Sequence, residues 1–326
     1  MSRGIASDRH PLRSSFWSRP SALAAGLLFV VACSHTQAPP PKAPPAPLEF
    51  LGEWGVQGSG PGKLDSPVAL ATDSDGMLYV SDAGSRFIHK FDLQGTAHLA
   101  FQEDGLRAPA GVTVDLGGAV YVADFKGGHV FIFWPDGRLL REMGPGPKRR
   151  FDSPSDVAVD PDGNIYVSEF RGNKIDKFNA RGRLLKSWGK KGEGPGDFNG
   201  PTIVVAGPDG FLYVADTGNN RIQRFTREGE LTAWNMAEGP KSKLDFPIAL
   251  AVSDKNVFVL DTYKPQLMVW TLTGQFVLSD DLGGRLLPPM HQEFPSPAAL
   301  AYGPGKQLIV LSPSLGGRIL RFRLNL

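Results

Sequence analysis

Cysteine is almost missing. The one cysteine among 326 residues is Cys33, so no disulfide can form within the chain and its stability has to come from packing. An excess of one charge is missing too: 35 basic against 33 acidic residues leave a formal net charge of +2. That is too little to build the broad positive field that gathers nucleic acid. No apolar run reaches the ~20 residues a membrane-spanning helix needs; SALAAGLLFVVA, residues 21–32, stops short of it. The glycine-rich stretches at residues 58–62 and 192–196 lack the following Lys-Ser/Thr and helix of a phosphate loop, and no Gly-x-Ser-x-Gly elbow occurs. What is plentiful is glycine (39) and proline (28), with 41% hydrophobic and 21% charged residues, the composition of many short strands joined by tight turns.

The N-terminus reads as an export signal. Arg3, Arg9, Arg13 and Arg19 form a basic leader, the apolar run follows, and Cys33 stands directly after Val30-Val31-Ala32. Residues 37–47, QAPPPKAPPAP, carry too much proline for helix or ladder and favour an extended spacer of ~3 Å per residue. The small-residues-then-cysteine arrangement resembles the lipobox of bacterial lipoproteins. That resemblance implies a signal peptide over residues 1–32, an acylated Cys33, and a tether over residues 33–47 that holds the protein to a membrane without crossing it. Ser34 in place of Asp implies the outer membrane as destination.

From residue 48 onward the chain repeats itself every 42 to 50 residues, opening at Pro67, Pro109, Pro154, Pro201, Pro247 and Pro297. After each proline come an apolar stretch, a turn, and a second apolar stretch ending mostly in an acid. A Gly/Asn-rich loop and a third stretch ending in Phe or Trp complete the unit. Ser-Asp-Gly, Leu-Gly-Gly and Pro-Asp-Gly stand at the first turn, where Gly takes positive φ and Asp bonds its own backbone. Four residues after the prolines stand Ala71, Thr113, Ala158, Val205, Ala251 and Ala301, small enough for the crowded strand near a propeller axis. The last repeat lacks an outer strand, whereas LEFLGEWG (residues 48–55) has the outer-strand pattern. This predicts a six-bladed all-β propeller of four-stranded antiparallel blades over residues 48–326, closed by the N-terminal strand. The segments YVADTGNNRIQRF and YVSEFRGNKIDKF, with the linkers GSGPGKLDSP and GEGPGDFNGP, resemble NHL repeats.

Two sets of residues stand out as candidates for a site. Asp82, Asp124, Glu169, Asp216 and Asp261 close the second strands, with Ser312 in the sixth repeat. Their recurrence favours a structural role, accepting backbone N–H groups in their own loops and meeting a basic residue about five positions on (Arg86, Lys174, Arg221 or Arg318). Lys148, Arg149, Arg150, Arg171, Lys174, Lys190 and Lys191 fall in neighbouring linkers and loops and form a candidate binding patch.

The NHL resemblance brings lyases and lactonases that hold a metal near the axis. Here His89 and His98 are expected in outer strands as solvated residues, and only His129 and His291 in loops that with Asp124 are able to approach a metal. The expectation is therefore a non-catalytic binding or scaffolding module with no cofactor. It is monomeric, membrane-held through its lipid, and partnered by an envelope protein or glycan rather than nucleic acid. The alternative is a metal-dependent lyase or lactonase acting in the central pocket.

Overall fold

The computed structural model describes residues 46–146, 149–234, 244–261, 266–282, 299–312 and 317–326. Six antiparallel sheets follow one another along the chain. Blade one holds β2 (Pro67–Thr72), β3 (Leu78–Asp82), β4 (Ile88–Phe91) and β5 (Ala97–Phe101). Blade two holds β6 (Pro109–Val114), β7 (Val120–Asp124), β8 (His129–Phe133) and β9 (Leu139–Met143). Blade three holds β10 (Pro154–Val159), β11 (Ile165–Glu169), β12 (Lys174–Phe178) and β13 (Leu184–Trp188).

In blade four β14 (Pro201–Ala206), β15 (Phe211–Asp216) and β16 (Arg221–Thr226) form ladders. Its outer position is reached, among the described residues, only by the bridge from Phe225 to Leu231. Blade five holds β17 (Pro247–Val252), β18 (Asn256–Asp261), β19 (Gln266–Thr271) and β20 (Phe276–Asp280). Blade six holds β21 (Ala299–Gly303), β22 (Gln307–Ser312) and β23 (Arg318–Leu324), and its outer strand is the N-terminal β1 (Leu48–Trp54).

Strand β1 runs antiparallel to β23, from Leu48 opposite Leu324 to Trp54 opposite Ile319. Ion pairs of Arg323 with Glu49 (3.0 Å) and Arg318 with Glu53 (2.5 Å) flank the seam. The first strands touch in sequence, β2 to β6, β10, β14, β17 and β21, and β21 returns to β2, so the six blades form a closed ring. Closure covers the apolar sheet face that a linear stack of sheets leaves bare at each end.

In blades one to five the proline at the head of the first strand sits where a ladder needs no donor, opposite the last residue of the second strand: Pro67 faces Asp82, and Pro154 faces Glu169. Directly after it the register shifts in β2, β6, β10, β14 and β17. Such bulges re-aim side chains, and the one in β10 turns the Ser155 hydroxyl onto the neighbouring blade, a contact that hydroxyls elsewhere in blades one and four also make. Ser155 donates to Pro201 O (2.9 Å); from the second strand and the loop after it, Ser81 donates to Ala110 O (2.5 Å) and Thr217 to Pro247 O (2.7 Å).

The core is six wedges between blades rather than one centre. Tyr121, Ile132, Met143, Val157 and Phe178 fill the wedge between blades two and three, and Tyr166, Ile175, Phe198, Val214 and Phe225 the next. Both faces of the second and third strands are covered, which is why those strands read as nearly unbroken apolar runs.

Candidate functional site

In blades one to four the loop after the second strand and the linker that enters the blade lie together at one end of the propeller. Phe170 N bonds Ser153 O (3.0 Å), Gly218 N bonds Asn199 O (2.9 Å), and Ala83 N bonds Ser66 O (3.0 Å). At this end Asp82, Asp124, Glu169, Asp216 and Asp261 are buried, as is Ser312. Asp82 accepts from the N–H groups of Asp65 (2.6 Å) and Ser66 (2.9 Å) in the linker, and of Gly84 (3.0 Å) and Ser85 (3.1 Å) in its own loop. Asp124 takes Arg107 N and Ala108 N, Glu169 takes Asp152 N, Asp216 takes Asn199 N, and Asp261 takes Asp245 N. Linker donors thus recur in every case, which local sequence did not foretell; the expected donors lay in each acid's own loop.

The basic companions divide. Arg221 Nε meets Asp216 at 2.8 Å and Lys174 Nζ meets Glu169 at 2.8 Å. Arg318 instead pairs with Glu53 across the closing seam, and Arg86 has no ion pair among the described residues. Burial pushes the Glu169 carboxyl up, and a hydrogen bond shared with Asp176 adds to this while Lys174 opposes it. Burial pulls Lys174 down, but hydrogen bonds to Asp176 and Glu169 outweigh it and hold the ammonium above its ordinary value.

The candidate patch is brought together, apart from Lys148, which lies outside the described residues. Gly172 N bonds Asp152 O (3.3 Å), joining the Arg171 loop to the linker of Arg149 and Arg150. Gly200 N bonds Asn173 Oδ1 (2.9 Å), joining the same loop to the linker that carries Lys190 and Lys191. Arg149, Arg150, Arg171, Lys190 and Lys191 are exposed. Lys190 has Asp197 at 3.9 Å; among the described residues Arg149, Arg150, Arg171 and Lys191 have no acid within ion-pair distance. A cavity of about 320 Å³ opens beside them, walled by Arg149, Arg150, Lys174 and the carboxylates of Asp152, Glu169 and Asp176.

The axis holds what sequence reading missed. The first strands surround a channel of about 310 Å³, lined by Ala71, Thr113, Ala158, Val205, Ala251 and Ala301 among other small or aliphatic residues. One carboxylate stands in that lining, Asp156, two residues after the proline of blade three. The same position holds Ala69, Gly111, Ile203, Ala249 and Ala299 in the other blades. Asp156 is 8% exposed and accepts Val204 N from blade four at 3.0 Å. Its Oδ1 lies against Gly111 of blade two, where an added Cβ would come within 1.9 Å. Burial pushes its carboxyl up to about 7, against the N–H groups of Val204 and Val157. In the sequence DVAVD, residues 156–160, it is one polar residue heading an apolar run; aligning the repeats column by column isolates it.

The histidines are placed differently from expectation. His89 lies in the third strand β4 and is fully buried, because blades cover both faces of that strand. It accepts Gly62 N on Nδ1 (3.3 Å), and burial pulls its imidazole below the ordinary value, with Asp82 opposing. His98 is in outer strand β5, His129 opens β8 and meets Glu142 at 2.8 Å, and His291 lies outside the described residues. No group of three His, Cys, Asp or Glu that would hold a metal ion occurs among the described residues, so those residues do not fit the metal implied by the lyase and lactonase resemblance. No described helix is long and apolar enough to cross a membrane, and Cys33 lies outside the described residues.

The NHL-repeat model matches residues 151–178 and 198–225, within blades three and four. No curated protein matches the sequence. Solved structures match in number, 1114 chains in all, so the fold alone names no activity. A catalytically inactive histidine-to-alanine variant of virginiamycin B lyase from Staphylococcus aureus, with quinupristin, is 18% identical with a TM-score of 0.57, over 79% of this chain and 80% of that one. A streptogramin B lyase is 15% identical (TM-score 0.58; 85% and 98%). Selenomethionine-substituted virginiamycin B lyase from the same bacterium is 14% identical (TM-score 0.59; 85% and 99%).

Proposed function

We propose that this chain is a cell-envelope binding propeller without catalytic activity. It is tethered through acylated Cys33 and engages an anionic protein or glycan with the rim formed by Arg149, Arg150, Arg171 and Lys191. The observation that carries this reading is the joining of two linkers and one loop into a continuous face bearing four exposed cations that no described acid neutralises. Anchoring rests on the sequence around Cys33, and several acyl chains at ~0.8 kcal/mol per buried CH₂ would hold the protein firmly.

The deciding experiment is in-cell cross-linking and capture with the full chain. Wild type is expected to capture a distinct anionic partner that the Arg149→Ser, Arg150→Ser, Arg171→Ser, Lys191→Ser protein captures weakly. Equal capture by both overturns the rim as the contact face. Palmitate labelling that persists in Cys33→Ser overturns the anchor.

A second reading, a lyase acting in the axial pocket, has in its favour the likeness in fold to streptogramin B lyases. Against it, the described channel lining contains no histidine and a single carboxylate. Turnover of a streptogramin B by the purified protein would favour this second reading over the first.

A further inference from the structure

The axial channel contains a charge with no visible reason to be there. Each innermost strand is paired on one side only, so part of its backbone looks into the channel, and the side chains around it are small and mostly aliphatic. Into this lining a single blade inserts a carboxylate. The insertion is accommodated: the residue facing Asp156 Oδ1 from blade two is Gly111, where any side chain would collide with it. The carboxylate has one neighbouring-blade donor, Val204 N. Among the described residues no Lys, Arg or His lines the channel, and the other ionisable residue of that lining is Tyr302, at the opposite end of the first strands. A buried carboxylate without a countercharge is costly and is kept where something supplies the charge.

The chemistry of the lining selects what can supply it. A calcium ion asks for six to eight oxygen ligands and magnesium for an octahedral set, usually including more than one carboxylate or several waters. One carboxylate above a sleeve of alanines offers something else: a seat for a charged head, and an apolar wall for a short stem. The channel volume of about 310 Å³ stands at the lower end of small-molecule pockets.

We propose that the axial channel binds a small primary alkylammonium, with the ammonium paired to Asp156 and its stem lying along Ala71, Ala158, Ala251 and Ala301. This site is separate from the basic rim. It does not depend on the binding reading above, since the rim would take anions and the channel takes a cation.

The probe is n-butylammonium, with n-butanol as its neutral counterpart, added to the folded protein in calorimetric titrations at pH 8. Wild type is expected to bind the ammonium and to discriminate against the alcohol by at least tenfold. Asp156→Asn keeps an acceptor for Val204 N and is expected to lose at least tenfold in ammonium affinity while the alcohol is unaffected. Because the Asp156 carboxyl gains its proton below about 7, wild-type affinity should fall by more than about tenfold between pH 8 and pH 5.5.

A measurement on unaltered protein guards against a variant that fails to fold: the carboxyl-carbon NMR titration of Asp156 should move to lower pH when butylammonium is added. Ala71→Leu, which fills the channel and leaves the carboxylate, should also block binding. Absence of ammonium binding by wild type, an unmoved Asp156 titration, or equal affinity in Asp156→Asn each overturns the proposal.

Discussion

Among the buried carboxylates of this propeller, those at the loop end and the one at the axis are held in different ways. At the loop end, Asp82, Asp124, Glu169, Asp216 and Asp261 each bind the backbone of the linker that enters their own blade. At the axis Asp156 stands alone, with one donor from the next blade and a glycine opposite. Asp82 and Asp124 replace lost water with two or more N–H bonds, and a carboxylate so compensated stabilises the fold. The axial acid replaces little, and its proton is held to near neutral pH. Repetition identifies a part of the scaffold; a single departure from the repeat identifies a position with some other duty.

The sharpest test of that contrast is that neutralising the two kinds of acid shifts stability in opposite directions. Removing Asp216 by substitution with Ala leaves Asn199 N, Asn219 Nδ2, Gln223 Nε2 and the Arg221 guanidinium without their shared acceptor. Breaking one half of a buried charge pair costs about 3–5 kcal/mol, so urea unfolding of Asp216→Ala should show a loss of that size. A loss under about 1 kcal/mol would mean that water replaces the carboxylate easily and that the loop-end acids are not structural.

Asp156→Asn should act the other way, with a dependence on pH. The folded chain keeps the Asp156 proton up to about 7, against an ordinary 3.8, so over that interval the native state binds more protons than the unfolded chain. Stability conferred by the protonated form is present at low pH and is lost as pH rises toward 7. At ~1.4 kcal/mol per unit the effect is on the order of 2–4 kcal/mol. Asp156→Asn is therefore expected to exceed wild type in stability at pH 8 by that amount and to match it near pH 4. Parallel stability curves across the range would show that the carboxylate is no less comfortable than its loop-end counterparts.

How much of this was legible in the sequence follows from the same contrast. The prolines, the Asp-Gly turns and the acids recur, and repetition is visible without coordinates; so was the displaced strand LEFLGEWG, which pairs with β23. The hydroxyl bonds between blades, the linker donors and the meeting of Gly111 with Asp156 are tertiary, and no local pattern encodes them. His89 misled because a third strand with both faces covered resembles an outer strand with one face exposed. The basic residues were legible as a patch because the loops and linkers that carry them recur at one end of every repeat, and the placement of Arg149, Arg150, Arg171, Lys190 and Lys191 follows from that.

A smaller effect is expected on the glycine that faces the axial acid. In Gly111→Ala the new Cβ would approach Asp156 Oδ1 to 1.9 Å and Asp156 Cα to 2.5 Å, so both the side chain and strand β10 must give way. Overpacking of this kind costs about 1–3 kcal/mol. Combining it with Asp156→Ala should recover part of the loss, since the contact with the backbone remains. Full additivity in the double-mutant cycle would show that the two residues do not share the strain.

The smallest effect on stability belongs to the rim, and its smallness is what separates binding from scaffolding. Arg149, Arg150, Arg171 and Lys191 are exposed and have no ion-pair partner among the described residues, so replacing all four with Ser removes no compensated charge. Each such surface change typically shifts stability by no more than ~0.5 kcal/mol. Capture of an anionic partner should respond strongly all the same, and added salt should weaken wild-type capture in parallel, because exposed charges are screened beyond ~8 Å at physiological ionic strength. A thermal melt and a salt series on the same two proteins give both readouts. An unchanged melt with lost, salt-sensitive capture assigns the rim to binding, whereas a melting point lowered by many degrees would place these residues with the loop-end acids as part of the scaffold.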